Sequence, residues 1–302
     1  MITILGPTAT GKTRLAALVA AKVHGEVISA DSRQVYRGMD LGTGKDYADY
    51  EVDGSKIPYH LIDIAEPGYE YNVYEYQRDF TVAYQEILSR GKMPILCGGT
   101  GLYLEAVLKN YDLHYVPDNQ KLRSELEKMS HEELVHLLAS CKSLHNVSDI
   151  TDHTRLIRAI EIQSFRQRFP QYAAPAPGPE SRVFGILYDR PALRARITER
   201  LQSRLQKGMV VEVQRLLAGG LRPNQLKFYG LEYKFLTQYV LGEITREQMV
   251  KLLTIAIHQF AKRQMTWFRR MERSGIRIQW IEGNLPEEDK VKLILDQVNK
   301  FV

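Results

Sequence analysis

Residues 6–13 read Gly6-Pro7-Thr8-Ala9-Thr10-Gly11-Lys12-Thr13, the G-x-x-x-x-G-K-[ST] spacing in which backbone N–H groups curl around phosphate oxygens. Such a cradle needs many donors at short range and little side-chain bulk, and glycines at both ends of the turn supply both. In this spacing Lys12 neutralises a terminal phosphate, and the Thr13 hydroxyl is a ligand for Mg²⁺. The apolar run Met1–Leu5 before the loop and the helical pattern Arg14–Ala20 after it predict a strand–loop–helix unit whose helix aims its positive end at the anion. The chain is expected to bind a diphosphate or polyphosphate.

Two further groups belong at the same edge. Asp31-Ser32 follows the apolar stretch Glu26–Ala30, which reads as a second strand. A carboxylate placed there can hold Mg²⁺, take a proton from a nucleophile, or cap a helix. Gly98-Gly99-Thr100 follows the apolar stretch Met93–Cys97 and offers either a hydroxyl beside a backbone that a ligand can approach closely, or a tight turn. In parallel sheets, ligands gather at the loops leaving the carboxyl ends of the strands.

The elements that must position these residues alternate strand and helix through the first hundred positions. Strands are predicted at Met1–Leu5, Glu26–Ala30, Tyr59–Ile64 and Met93–Cys97, with helices at Lys12–Val23 and Val73–Arg90. From about Tyr111 only helical patterns follow, at Gln120–Met129, His131–Cys141 and Asp152–Arg168, and then a Pro/Ala/Gly-rich linker or exposed loop at Phe169–Pro179. Arg182–Tyr188 returns to strand character ahead of helices at Ala192–Gly208 and Val210–Leu217 and a short helix beyond Trp280. The expected fold is α/β: a P-loop NTPase-like parallel sheet covered by helices over 1–111 and 182–302, with an all-helical insertion over 112–181.

The 302 residues, 44% apolar and 25% charged, are ordinary for a globular chain. No basic leader or long apolar run is present, so a cytoplasmic protein off the membrane is expected, with Cys97 and Cys141 assigned to packing. The net charge of +5 matters because it is concentrated. Lys251, Lys262, Arg263, Arg269, Arg270, Arg273 and Arg277 face a single anion, Glu272, in their stretch. Arg190, Arg194, Arg196, Arg200, Arg204 and Lys207 face only Glu199 in theirs. Runs of one sign favour nucleic acid or phosphate as partner over a plainly solvated face.

Taken with the phosphate loop, the runs Asp31-Ser32-x-Gln34-x-Tyr36-x-Gly38-Met39-Asp40-x-Gly42-Thr43, His60-Leu61-Ile62-Asp63, Gly98-Gly99-Thr100-Gly101-Leu102-Tyr103, Arg155-Leu156-x-Arg158-Ala159-x-Glu161, Leu193-x-x-Arg196-Ile197-x-x-Arg200 and Ala261-Lys262-Arg263-Gln264-x-Thr266-Trp267-x-Arg269 resemble the tRNA dimethylallyltransferases (tRNA isopentenyltransferases) in order and over nearly the whole chain. No Cys/His pair follows Trp280, which matches the bacterial type. Two segments depart from the family pattern: Phe228-Tyr229-Gly230-Leu231-Glu232-Tyr233 stands where Cys-Val-Gly-Tyr-Arg is usual, and Asp46–Lys56 replaces a Pro-rich stretch.

The resemblance implies transfer of a dimethylallyl group from its diphosphate to the exocyclic amine of the adenosine 3′ of the anticodon. It implies a diphosphate held by Gly6, Pro7, Thr8, Ala9, Thr10, Gly11, Lys12 and Thr13, with Mg²⁺ at Thr13. Asp31 would accept a proton from the amine, Thr100 would orient that amine or polarise a bridging oxygen, and Arg123 would hold the diphosphate. Arg196 and Arg200 would complete a cationic wall or remain surface charges. Asp31, Ser32, Arg33 and Gln34 would contact a base drawn out of its stack. Thr154, Arg155, Leu156, Ile157 and Arg158, with the basic helices, would grip the anticodon stem-loop. Trp267 and Phe268 would stack on bases or face the core.

The protein is expected to work as a monomer. Three rival readings remain open from residues alone: an adenylate isopentenyltransferase acting on free AMP, ADP or ATP, a P-loop kinase of a small metabolite, and an RNA-binding module without catalysis. Lys12→Ala is expected chiefly to weaken donor binding, seen as a raised KM for the diphosphate donor. Full activity at low donor concentration would remove Lys12 from that role.

Overall fold

A computed structural model describes residues 1–141, 152–169 and 178–299. In chain order its elements are strand β1 (Ile2–Leu5), helix α1 (Lys12–Val23), β2 (Gly25–Ala30), the short hairpin β3 (Glu51–Val52) and β4 (Ser55–Lys56), β5 (Tyr59–His60), α2 (Val73–Ser89), β6 (Met93–Gly98), α3 (Gly101–Leu108), α4 (Gln120–Leu126), α5 (His131–Cys141), α6 (His153–Arg168), β7 (Arg182–Leu187), α7 (Arg190–Gln206), α8 (Met209–Ala218), α9 (Pro223–Phe228), α10 (Leu231–Val240), α11 (Arg246–Arg273), β8 (Ile278–Glu282) and α12 (Glu287–Asn299). They form two compact units, Met1–Asn110 with Pro177–Val302, and Tyr111–Ala176. Most of the stretch read as a linker lies outside the described residues. No described helix is long and apolar enough to cross a membrane.

The larger unit is built on a six-stranded sheet of order β5-β2-β6-β1-β7-β8, parallel throughout. Successive strand residues point to opposite faces, and both faces are covered. Ile4, Val27 and Ile95 pack with Leu15, Val19 and Ile294 of α1 and α12 on one side. Leu5, Ile28 and Leu96 pack with Phe80, Leu104 and Phe268 of α2, α3 and α11 on the other. A third cluster joins α7, α8, α10 and α11 to Val35, Tyr36 and Met39 of the loop after β2. That cluster is what gives a long loop a fixed shape.

Two departures from the sequence reading have local causes. The strand expected over Tyr59–Ile64 stops at His60, because Leu61 and Asp63 take left-handed backbone angles (φ 62° and 57°) that no strand accommodates. A sixth strand, β8, was hidden because it is a partly exposed edge strand in which Ile278, Trp280 and Ile281 alternate imperfectly with polar residues.

The loop Asp31–Asp46 is locked by two buried charges. Glu212 of α8 accepts from the backbone N–H groups of Asp40, Leu41 and Gly42 at 2.9, 2.8 and 2.9 Å, and from the Tyr233 hydroxyl at 2.6 Å. The fully buried Lys45 ammonium donates to Tyr36 O at 2.5 Å and to the carboxylates of Asp40 and Asp63. The Tyr47 hydroxyl takes the second oxygen of Asp63 at 2.5 Å. Both oxygens of Asp63 are therefore occupied within the fold.

The smaller unit packs Leu126, Leu134, Leu138, Leu156, Ile157 and Ile160 from α4, α5 and α6 into its own core. Its buried hub is Glu161, which accepts from Asn119 N at 2.6 Å, from Arg123 Nε and Nη2 at 3.1 and 2.8 Å, and from Arg158.

Glu212→Ala leaves three backbone N–H groups, one of them buried, and the buried Tyr233 hydroxyl without their acceptor, and is expected to cost about 3 kcal/mol of stability in urea denaturation. Tyr233→Phe, which removes one hydroxyl donor, should cost about 1 kcal/mol. A loss below about 1 kcal/mol for Glu212→Ala would mean that the loop does not depend on this carboxylate.

Candidate active site

Strand register brings the three loops of interest together. Leu5 and Ala30 both pair with Gly98, so Gly6, Asp31 and Gly99 leave three adjacent strands at one level. A side chain at Gly98 would strike the Ala30 backbone, which explains glycine there and permits the Thr100 N–H to donate to Ala30 O at 3.2 Å.

The phosphate loop is held from outside and inside. Buried Gln264 of α11 accepts from Thr8 N at 2.9 Å and donates to Gly99 O at 2.9 Å, stitching the first loop to the third. The buried Thr10 hydroxyl donates to Pro7 O at 2.9 Å. Ala9 and Gly11 take left-handed angles (φ 65° and 77°), so the loop wraps round before α1 begins at Lys12. Lys12 Nζ folds back onto Pro7 O at 3.3 Å, while the Thr13 hydroxyl has no protein partner among the described residues.

Three arginines on one face of α7 close the cradle, each four residues from the next. Arg196 Nε donates to Ala9 O at 2.9 Å, with its guanidinium 4.7 Å from the centre of the Tyr188 ring. Arg200 donates to the Thr8 hydroxyl at 3.2 Å and to Asp46 Oδ2 at 2.6 Å. Arg204, buried, reaches the same Asp46 oxygen at 3.4 Å and lies against Gly44, where any side chain would collide with it. Arg196 and Arg200, expected either to complete a cationic wall or to remain surface charges, both touch the phosphate loop.

The ionisation of these groups records their crowding. Burial pulls the Lys12 ammonium below its usual value; Arg200 and Arg204 push it further down while Cys97 and Asp31 oppose them. Burial and then Arg200 lower Arg204 to about 10. Burial would raise the Asp46 carboxyl, but the two arginines outweigh it and hold its pKa below the usual value. Burial pushes the Cys97 thiol up to about 12, so it stays a neutral packing group, its Sγ set 3.5 Å from Lys12 O.

Across from the cradle, Asp31 Oδ1 accepts from Arg33 N at 2.9 Å in a tight side-chain turn. Its other oxygen has no donor among the described residues. Thr100 Oγ1 accepts from Ser32 N at 3.0 Å and stands 3.3 Å from the Ser32 hydroxyl, fixing the Asp31–Ser32 turn. Gln34, expected to read a base edge, has both ends engaged: its Oε1 accepts from Ser29 Oγ at 3.3 Å and its Nε2 donates to Gly44 O at 3.2 Å. It acts here as an internal brace.

A divalent cation fits the cradle. Among the described residues no group of three or more His, Cys, Asp or Glu side chains could cage one. The donor set is a free Thr13 hydroxyl beside a diphosphate pocket, the sparse protein ligation that Mg²⁺ accepts when phosphate oxygens and water complete its shell.

In the smaller unit, Leu156 and Ile157 are core residues, so side-chain contact with a partner by this segment falls to exposed Thr154 and Arg155. Arg158 and Arg123 are committed to Glu161 and Asp118. On α11 the cations Lys262, Arg263, Arg269 and Arg273 are exposed, Phe268 is fully buried, and Trp267 donates to buried Glu105 at 2.8 Å beneath Arg270. Sequence reasoning missed the roles of Gln264, Glu212, Lys45 and Asp46. For Gln264 a signal existed: it falls on the apolar stripe Ile257, Ala261, Phe268, Met271, where a polar residue must find buried partners.

Fold and loops together define a P-loop-type α/β protein whose cation-lined phosphate loop lies at the same sheet edge as the Asp31 carboxylate. A family profile described as IPP transferase matches residues 34–271, and the chain belongs to that family. A relative named tRNA dimethylallyltransferase 2 from Bacteroides fragilis is 55% identical over 301 residues, covering 100% of this chain and 98% of the relative. Another, tRNA dimethylallyltransferase 1 from Parabacteroides distasonis, is 55% identical over 99% of this chain and 97% of its own length. The crystal structure of a tRNA isopentenylpyrophosphate transferase from Bacillus halodurans superposes with a TM-score of 0.73 at 31% identity, covering 99% of this chain and 95% of that one.

Asp46→Asn removes the counter-charge of Arg200 and Arg204. It is expected to lower stability by about 1 kcal/mol at neutral pH, the scale of a partly exposed ion pair. Because the folded Asp46 pKa is depressed, the difference from wild type should be full above the unfolded carboxyl value and fade as pH falls through the folded one. Inorganic diphosphate should raise the melting temperature of Asp46→Asn more than that of wild type. Equal shifts would mean that the arginines are not in electrostatic conflict.

Proposed function

We propose that this protein transfers the dimethylallyl group from dimethylallyl diphosphate to the N6 amine of the adenosine 3′ of the anticodon in tRNA, releasing diphosphate. One observation carries the reading: Asp31 presents an unclaimed carboxylate oxygen beside a phosphate loop that already gathers Lys12, Arg196 and Arg200. A kinase would need the same cradle, but the IPP transferase match and the full-length likeness to tRNA dimethylallyltransferases support prenyl transfer.

In the reaction the allylic C–O bond breaks and a C–N bond forms. Lys12 and Arg200 take up the charge that develops on the departing diphosphate, which is worth more in a desolvated cradle than in water. Mg²⁺, when held at Thr13, supplies further charge neutralisation on the phosphate oxygens. Asp31 accepts the N6 proton, and Thr100 and Ser32 hold its turn in place. Arg123 is proposed to join the diphosphate on substrate binding, which requires it to leave Asp118 and Glu161. Ser32 and Arg33 meet the extruded base, and Thr154, Arg155 and the exposed cations of α11 meet phosphates of the anticodon stem-loop. We further propose that the protein acts as a cytoplasmic monomer.

Incubation with labelled dimethylallyl diphosphate, Mg²⁺ and either unmodified tRNA or AMP tests the reading. Label is expected in tRNA; label in AMP alone would make this an adenylate isopentenyltransferase. Asp31→Asn preserves the turn's acceptor but cannot take the proton, so kcat should fall at least about 100-fold while tRNA binding persists. Loss of binding together with turnover would make Asp31 a structural residue.

A further inference from the structure

The last residue of α9 presents an aromatic side chain that the reaction above does not use. Phe228 is 51% exposed, yet it is not loosely attached. The next residue, Tyr229, is buried, with its hydroxyl accepting from Gly68 N at 2.6 Å and donating to Tyr69 O at 3.1 Å. The Tyr229 ring meets Tyr36 edge-on at 4.5 Å, and Tyr36 lies in the same loop as Asp31. Phe228 is thus an open aromatic face on a rigid mount fixed to the acceptor side of the site.

Arg33 supplies the second element. Its guanidinium stands 5.6 Å from the centre of the Phe228 ring, and among the described residues it makes no hydrogen bond or ion pair. Its backbone N–H is the donor that fixes Asp31, so the pair sits two residues from the proposed base. An uncompensated planar cation beside an open aromatic face, at the mouth of a site that receives an extruded nucleoside, has the chemistry of a base-stacking platform.

We propose that Phe228 and Arg33 form a stacking site for an unpaired nucleobase immediately flanking the adenosine that is modified. Drawing one base out of a loop costs stacking on its neighbours, and an aromatic face beside the pocket replaces part of what is lost. The proposal rests on tRNA being the acceptor, and its test separates the two.

Binding of a fluorescent anticodon stem-loop is measured for wild type, Phe228→Ala, Phe228→Leu and Phe228→Trp, with donor KM and labelled transfer in parallel. The Ala and Leu variants should bind between about 5- and 150-fold more weakly, the range that loss of one base–aromatic stack gives. Trp should match wild type, and donor KM should not move in any of the three. On stem-loops made abasic immediately 5′ or 3′ of the target, one of the two should erase the difference between wild type and Phe228→Ala. Binding by Phe228→Ala within twofold of wild type, full rescue by Leu, or a penalty that survives on both abasic RNAs would overturn the proposal. Failure of wild type to label RNA at all would instead overturn the tRNA reading.

Discussion

The constraint on which this structure turns is the repulsion among cations that a diphosphate site must collect before its ligand arrives. Lys12, Arg196 and Arg200 touch the phosphate loop and Arg204 stands beside them against Asp46 and Gly44, and two like charges 4 Å apart oppose each other by about 4 kcal/mol at an effective dielectric near 20. The fold answers with backbone oxygens and one carboxylate. Ala9 O and Pro7 O accept from Arg196 and Lys12, while Asp46 is shared by Arg200 and Arg204. Arg204, buried and farthest along α7, has its pKa lowered to about 10, first by burial and then by Arg200. An anion entering between these cations would offset their repulsion as well as making contacts.

Asp46 lies at the far end of the loop that begins with Asp31, so the counter-ion of the arginines and the carboxylate proposed as the base share one segment. This explains why the loop is so heavily fastened. Glu212, Lys45 and Tyr233 fasten what would be a long mobile connection, with the Asp46–arginine pairs at one end and the Asp31 turn at the other. Buried polar groups of this kind are costly unless every donor and acceptor is matched, and here the Glu212 carboxylate receives four donors.

Legibility in the sequence followed the range of the interactions. The phosphate loop, its flanking strand and helix, and Asp31 at a strand end are set by neighbours within about a dozen residues, and all were readable from spacing. Gln34 reads as a contact for the base; that Ser29 and Gly44 engage both ends of its amide is not legible, because those partners are fixed only when the loop folds back. The strand expected through Ile64 failed for a related reason: Leu61 and Asp63 give up extended backbone so that Asp63 can meet Lys45 and Tyr47, a tertiary demand that overrides apolar pattern. Leu156 and Ile157 show the opposite case: the resemblance puts them in the segment gripping the stem-loop, although their helical spacing with Ile160 suits the core they occupy.

The long helix α11 unites these themes. Its inner stripe anchors two clusters, its one buried amide ties the phosphate loop to Gly99, and its outer side carries exposed cations. A load on that outer side, such as a bound polyanion, acts on an element whose inner side fixes the spacing between Thr8 and Gly99. Because Gln264 bonds both loops at 2.9 Å, a shift of α11 cannot move one without the other, since a buried amide left unpaired at either end costs about 1–3 kcal/mol. The phosphate loop and the Thr100 loop are therefore tied by one side chain as well as by the pairing of their strands, and a displacement of the helix would be felt at both.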